Sequence, residues 1–405
     1  MLAATVRVAG SLDVAEDCAQ EAFVSALDAW TRAGIPANPG AWLTTTARRK
    51  ALDLHRRNQV LRTKLPLLAA EADPSRTTLP LPSEPDEFDQ AEPAIPDDRL
   101  RLIFTCCHPA LAREAQVALT LRLVCGLSTA DIARAFLVSE PTMAARMTRA
   151  KKKIAGAAIP YRVPAGHELA ERLDAVLTVV HLVFNAGYAA PSGDDLMRPE
   201  LADQAIRLAR LLIELMPDER EVYGLLALML LTDARRATRT AADGSLVLLA
   251  DQDRSRWDQD QIAEGQRALV AGLRGLQAGR FVLQAAIAAQ HARAASYQRT
   301  DWAQIVTLYD LLLRVWPSPV VELNRAVAIS MVQGPQAGLD QLAGINLPNY
   351  HYLPAARADL LRQLGRLDEA AQAYDQAIEW VHNEAERRFL LGQQARVNGS
   401  RDPAP

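Results

Sequence analysis

Residues 126–154, GLSTADIARAFLVSEPTMAARMTRAKKKI, hold the side chains best suited to grip a polyanion. Arg146, Arg149 and Lys153 recur every three or four positions, which is one stripe of a helix, and Lys151 and Lys152 stand beside it. A helix of this kind can lie in the DNA major groove with its cations against phosphates. An ordinary helical hairpin with a solvated basic face has the same pattern. The other reactive residues offer less. Cys106, Cys107 and His108 are adjacent rather than spaced as zinc ligands, and they read as helix packing. The run DQDRSRWD, 251–258, is dense in charge and carries one Trp. It reads either as a turn with local ion pairs or as a ligand or partner site. No P-loop, nucleophile elbow or GxGxxG occurs. Neither a metal nor any other cofactor is expected, and the chain is not expected to be an enzyme.

The basic stripe needs two short helices to present it. Ser128 is a good N-cap with Asp131 three residues on, close to a capping box. Ile132, Ala133 and Phe136 give the first helix its apolar side. Leu137, Val138 and Ser139 form a turn, Ser139 caps the second helix, and Pro141 falls in its first turn, where a missing N–H costs little. Met143, Met147, Ala150 and Ile154 recur at helical spacing and are expected to pack inward.

Upstream, Asp13 to Trp30 reads as an amphipathic helix with Ala15, Ala19, Ala22, Phe23, Ala26 and Leu27 inward and Asp17, Gln20 and Glu21 outward. A Pro/Gly turn, GIPANPG, follows. Ala41 to Arg57 reads as a second helix with Trp42, Leu43, Ala47, Ala51 and Leu54 as its apolar set and Arg48, Arg49, Lys50, His55, Arg56 and Arg57 making it basic. From residue 59 to 97 prolines and acidic residues dominate, which reads as a semi-extended linker, either a spacer or a strap against a basic surface. The tail from about Gly166 is helical with repeat character. LLRQLGRLDEAAQAYDQAIEW turns at Gly365 and packs Ala370, Tyr374 and Ala377, and earlier units break at Pro217 and Pro317.

Taken whole, 405 residues suggest two to three domains, and a net charge of −3 makes any DNA contact local. No apolar run approaches the ~18–20 residues of a membrane span, and no leader pattern opens the chain, so no membrane partner and a cytoplasmic location are expected. Four cysteines without a CxxC pair fit a reducing compartment.

The ordered set of motifs resembles a known family. DVAEDCAQEAF is similar to the polymerase-binding helix of extracytoplasmic-function sigma factors, PGAWLTTTARRKALDLHRR to their −10 promoter helix, and LVSEPTMAARMTRAKKKI to their −35 recognition helix. IFTCCHPAL, IPYRVP and the long tail resemble the subgroup with a C-terminal extension related to tetratricopeptide repeats. The resemblance implies an all-α fold: sigma region 2 over 1–58, an acidic Pro-rich linker over 59–97, sigma region 4 over 98–160, and a repeat-like helical extension over 161–405. It implies an alternative sigma factor whose partners are core RNA polymerase and promoter DNA, with a protein partner on the repeats.

By that resemblance Asp17, Gln20, Glu21 and Phe23 dock on the polymerase. Asn38 and Trp42 are −10 DNA contacts, Asn38 bordering a pocket for a flipped base; the alternative for Trp42 is to pack the core beneath that loop. Arg48, Arg49, Arg56 and Arg57 hold phosphates. Ser139, Glu140, Thr142, Arg146, Arg149 and Lys153 meet the −35 element. Two departures stand out. Met1 to Gly10 looks like only the end of the family's first helix, which implies a start assigned too late or a reduced polymerase-binding surface. Ala144 and Ala145 occupy positions that are often polar, so reading leans on Arg146, Thr142, Glu140 and phosphate contacts. The competing reading is a repeat scaffold or ligand-sensing regulator that binds DNA without polymerase. The short joint IPYRVPAGHEL gives the tail a high effective concentration near the sigma regions, which predicts regulation in cis, most simply by holding an active spacing.

Overall fold

A computed structural model describes residues 1–72, 98–136, 138–164, 166–190, 193–275 and 277–401, with backbone alone at 58–72, 134–135, 167 and 400–401. The chain divides into two compact units, Met1–Arg134 with Val138–Val176, and Ala135–Leu137 with Leu177–Pro405. Among the described residues there is no β-strand, only two isolated bridges.

The first unit holds α1 (Leu2–Ala9), α2 (Leu12–Ala33), α3 (Pro39–Ala72), α4 (Asp98–Cys106), α5 (Arg113–Leu119), α6 (Thr129–Ala135), α7 (Glu140–Gly156) and the start of α8 (Gly166–Tyr188). Helix α2 buries Ala15, Ala19, Ala22 and Ala26 at spacings of three and four, and α3 answers with Ala47 and Ala51. Small side chains on both helices let the backbones approach closely. Phe23 and Leu27 do not join this core, being 52% and 73% exposed, and Leu54 of α3 is 39% exposed. The alanine ridge forms the centre of the α2–α3 seam, and Phe23 and Leu27 are left outside it.

Helix α3 does not stop near Asn58 but continues to Ala72. Residues 59–72 are rich in Leu, Ala, Lys and Arg, strong helix formers that outweigh the single Pro66. The remainder of the expected linker, 73–97, lies outside the described residues. Downstream, α4 buries Leu100, Leu102, Ile103, Phe104 and Cys106, and α5 runs into a π-helical turn over Thr120–Val124 before Gly126 reverses the chain at φ +77°.

The second unit holds the rest of α8 and α9 (Pro199–Leu215), α10 (Arg220–Asp233), α11 (Gln259–Gly272), α12 (Arg280–Arg293), α13 (Trp302–Val315), α14 (Pro319–Gln333), α15 (Pro335–Leu342), α16 (Tyr352–Gln363), α17 (Leu367–Trp380) and α18 (Glu384–Arg401). Consecutive helices pack in pairs, α13 on α14 and α16 on α17. Pro217 and Pro317 fall in the breaks α9–α10 and α13–α14, and Gly365 makes the α16–α17 turn at φ +75°, with Ala370, Tyr374 and Ala377 buried beyond it. One close approach is at Gly224, where a Cβ would sit 2.6 Å from the backbone nitrogen of Val282 on α12.

Candidate nucleic-acid interface

Local capping sets α6 and α7. The amide of Asp131 donates to Ser128 Oγ at 3.1 Å, and the Ser128 hydroxyl donates to the Asp131 carboxylate at 2.6 Å, which closes the first helix start. The Thr142 amide donates to Ser139 Oγ at 3.3 Å, with Pro141 in the first turn. Met143, Met147, Ala150 and Ile154 of α7 are buried, as are Ile132 and Ala133 of α6. Leu137 of the turn lies outside the described residues.

Burying that stripe turns the opposite one outward. Ser139, Glu140, Thr142, Ala144, Ala145, Arg149, Lys152 and Lys153 are exposed and Arg146 is half-buried. Arg149 Nε donates only to its own helix, to the Ala145 carbonyl at 3.3 Å. Arg146, Lys152 and Lys153 make no ion pair among the described residues. Four cations on seventeen helical residues, Arg146, Arg149, Lys152 and Lys153, none in an ion pair among the described residues, are a surface prepared for phosphate.

The second basic surface is on α3. Asn38 Oδ1 accepts from the Ala41 amide at 3.0 Å, which caps the helix start. Trp42 is half-buried and stands edge-on to Trp30 of α2, with ring centroids 5.6 Å apart. Arg48, Arg49, Arg56 and Arg57 are exposed. On α2, Asp17, Gln20 and Glu21 are exposed with Phe23, and Glu21 pairs with Lys50 of α3 at 3.1 Å. The residues expected to act together thus fall into three separate surfaces.

What sequence reading missed is a contact between the two halves of the unit. Lys151 of α7, one residue from the basic stripe, turns away from it and pairs with Asp13 at 2.9 Å and with Glu16 of α2. Burial disfavours its charge, but the bonds from Glu16 and Asp13 prevail and raise its pKa. Arg122 reaches Glu16 at 3.5 Å, Arg7 reaches Asp98 at 3.7 Å, and the Tyr161 hydroxyl bridges the carbonyls of Ala3 and Asp98 at 2.7 and 2.9 Å. Nothing in one sequence pairs Lys151 with acids 135 and 138 positions away. Cys106 and Cys107 are buried in packing, and burial pushes the Cys107 thiol up to about 12. The 251–258 run is a turn, but without local ion pairs. Asp253 caps a single 3-10 turn and Asp258 caps α11, and Trp257 is buried with its Nε1 donating to Thr238 Oγ1 at 3.0 Å.

Three stretches match known families. Residues 2–60 match Sigma-70 region 2, residues 101–154 match Sigma-70, region 4, and residues 172–273 match a family of unknown function, DUF6596. An uncharacterized protein of Rhizobium meliloti (strain 1021), R00370, is 44% identical over 396 residues, which cover 97% of this chain and 92% of that protein.

Proposed function

This chain belongs to the sigma-70 family, as an extracytoplasmic-function type of sigma factor that directs RNA polymerase to promoters, and from that premise we propose how its three surfaces divide the work. Helix α7 enters the major groove at the −35 element. Ser139, Glu140, Thr142 and Arg146 meet base edges there, while Arg149 and Lys153 hold phosphates. Around the start of α3, Asn38 borders the pocket for a flipped −10 base, over the Trp42–Trp30 pair. Extruding a base costs a few kcal/mol of stacking, so such a pocket must offset it. Arg48, Arg49, Arg56 and Arg57 hold the adjoining backbone. Asp17, Gln20, Glu21 and Phe23 dock on core polymerase, which supplies all the chemistry. A protein partner binds the helical extension, and the chain works in the cytoplasm, where promoter DNA is.

The observation that carries this reading is α7 itself: a capped helix, one stripe buried in Met143, Met147, Ala150 and Ile154, and the other stripe basic and unpaired. Promoter binding and run-off transcription with reconstituted holoenzyme test it through Arg146→Ala and Arg149→Ala. A base contact should cost about 1–3 kcal/mol and shift sequence preference, and a phosphate contact should weaken all sequences alike. Unchanged binding by both variants would remove α7 from the interface.

A further inference from the structure

Three arginines of the second unit meet at the ends of two helices. Arg239 is 9% exposed; its Nη1 donates to the Tyr188 carbonyl at the end of α8, and its guanidinium lies 3.8 Å from the centroid of the Tyr188 ring. Arg235 reaches the same ring at 5.6 Å. Arg254 donates through Nη1 to the carbonyls of His291 and Ala294 at the end of α12, at 2.5 and 2.8 Å, and covers Trp257 at 4.6 Å. A cation at a helix C-terminus satisfies the last carbonyls and complements the dipole, so two of the three have a structural reason to be there.

The rest of the cluster has none. No carboxylate forms an ion pair with any of the three among the described residues, and the Arg235 guanidinium has no hydrogen bond either. Arg254 Nη2, Tyr188 Oη and His291 Nδ1 are buried without a partner. Glu386 is felt by Arg239, but it is already engaged by the Tyr352 hydroxyl at 2.5 Å and by His351 Nε2 at 3.2 Å. Burial and then Arg235 lower the pKa of Arg254, and burial, Arg235 and Arg254 together push His291 down to about 4. Like charges gathered in a half-buried place are costly unless a counter-charge arrives. Tyr352 and Glu386, which act on Arg239 electrostatically, line a cavity of about 1210 Å³ that none of the three arginines lines.

We propose that Arg235, Arg239 and Arg254 form the receptor for the phosphate of a small phosphorylated ligand. The guanidinium fork matches phosphate oxygens in pairs. A single carboxylate would leave most of the charge uncompensated, whereas a phosphate ester or diphosphate balances it. The near-complete burial of Arg239 bars the continuous backbone of a nucleic acid.

The test is calorimetric titration and thermal melting of the full chain with inorganic phosphate, pyrophosphate and ATP, against sulfate at equal ionic strength. Pyrophosphate or ATP should bind and raise the melting temperature where sulfate does not. Arg235→Gln, whose guanidinium supports no fold contact beyond the Tyr188 ring, should weaken binding at least tenfold, the scale of one lost charge-assisted pair. Arg235→Lys keeps the charge without the fork, should fold where Gln does not, and should also bind more weakly. Arg146→Ala on α7, whatever it does to promoter binding, should leave the affinity for pyrophosphate as it is in the parent. The proposal falls if no phosphate compound binds at millimolar concentration, if both Arg235 variants bind as the parent does, or if Arg146→Ala alone abolishes binding, which would move the phosphate to the DNA-facing helix.

Discussion

Lys151 shows how one residue's surroundings override its type. Its neighbours Lys152 and Lys153 face solvent, while its own side chain is 16% exposed between Asp13 and Glu16. Removing it leaves Glu16 with Arg122 at 3.5 Å and returns Asp13, already 66% exposed, to water. The cost of Lys151→Ala should therefore lie between that of a surface and a buried pair, about 1–2 kcal/mol. Hydrogen exchange should report faster opening of α1 and α2 with α7 still protected. Unchanged exchange there would show that the Tyr161 bridge holds the contact alone. Two histidines of the second unit make a prediction of opposite kind. Burial first, then Arg280 for His181 and Arg235 and Arg254 for His291, push each down to about 4. Their folded values lie below the unfolded value of ~6.5, so the unfolded chain binds more protons between the two. Stability is then full above about pH 6.5 and falls as pH drops toward 4, by about 2 kcal/mol per histidine at pH 5. Urea melts at pH 7 and pH 5 measure it, and His181→Phe, which keeps a ring edge-on to Phe281, now 5.5 Å away, should remove about half of the difference.

At the scale of elements, the α6–turn–α7 segment was legible because its determinants are local: two serine caps, a proline in a first turn, and a buried stripe at helical spacing. Ser139→Ala should cost about 1 kcal/mol and fray the start of α7, weakening promoter binding at Thr142 before Arg149. Equal binding and equal melting would mean that Pro141 fixes the turn unaided. Other elements were legible only in part. The apolar side of α2 gave its helix but not its direction, since Phe23 and Leu27 fit the same broad stripe as the alanines yet remain exposed. Periodicity cannot separate a core-facing residue from a partner-facing one. The end of α3 was hidden because acidic and proline content averaged over 59–97 concealed fourteen residues of good helix former. Close helix contacts are equally invisible beforehand. Gly224 reads as a weakness in α10, yet a Cβ there would lie 2.6 Å from α12. Gly224→Ala should cost about 3 kcal/mol or more by overpacking, whereas Gly392→Ala, with open space around it, should be neutral or stabilising. Thermal melts of the two variants separate packing from propensity.

At the scale of the molecule, the first unit poses a problem of distance. Elements named for positions 10 and 35 upstream are 25 base pairs apart, which at 3.4 Å per pair is about 85 Å. On the division of labour proposed above, a unit in which α7 pairs with α2 through Lys151 would have to open these pairings to engage both elements. The tail bears on how. The first unit runs to Val176, beyond the short joint, because Arg172 Nη2 donates to the Phe104 carbonyl at 2.7 Å and Leu173 and Val176 are buried. A cut after Ala165 would strip these contacts and lose solubility whatever the tail does. A cut after Val176 keeps them, and is the truncation that isolates the role of the extension. If the extension holds the regions in an active arrangement, residues 1–176 should be soluble and folded, should bind core polymerase, and should yield fewer run-off transcripts than the full chain. The Lys151→Ala change made in that fragment should then recover part of the loss, because it lowers the cost of opening. More transcripts from 1–176 than from the full chain would make the extension an inhibitor instead. Equal yields would dissociate it from initiation and leave it to the partner or ligand that its own surfaces bind.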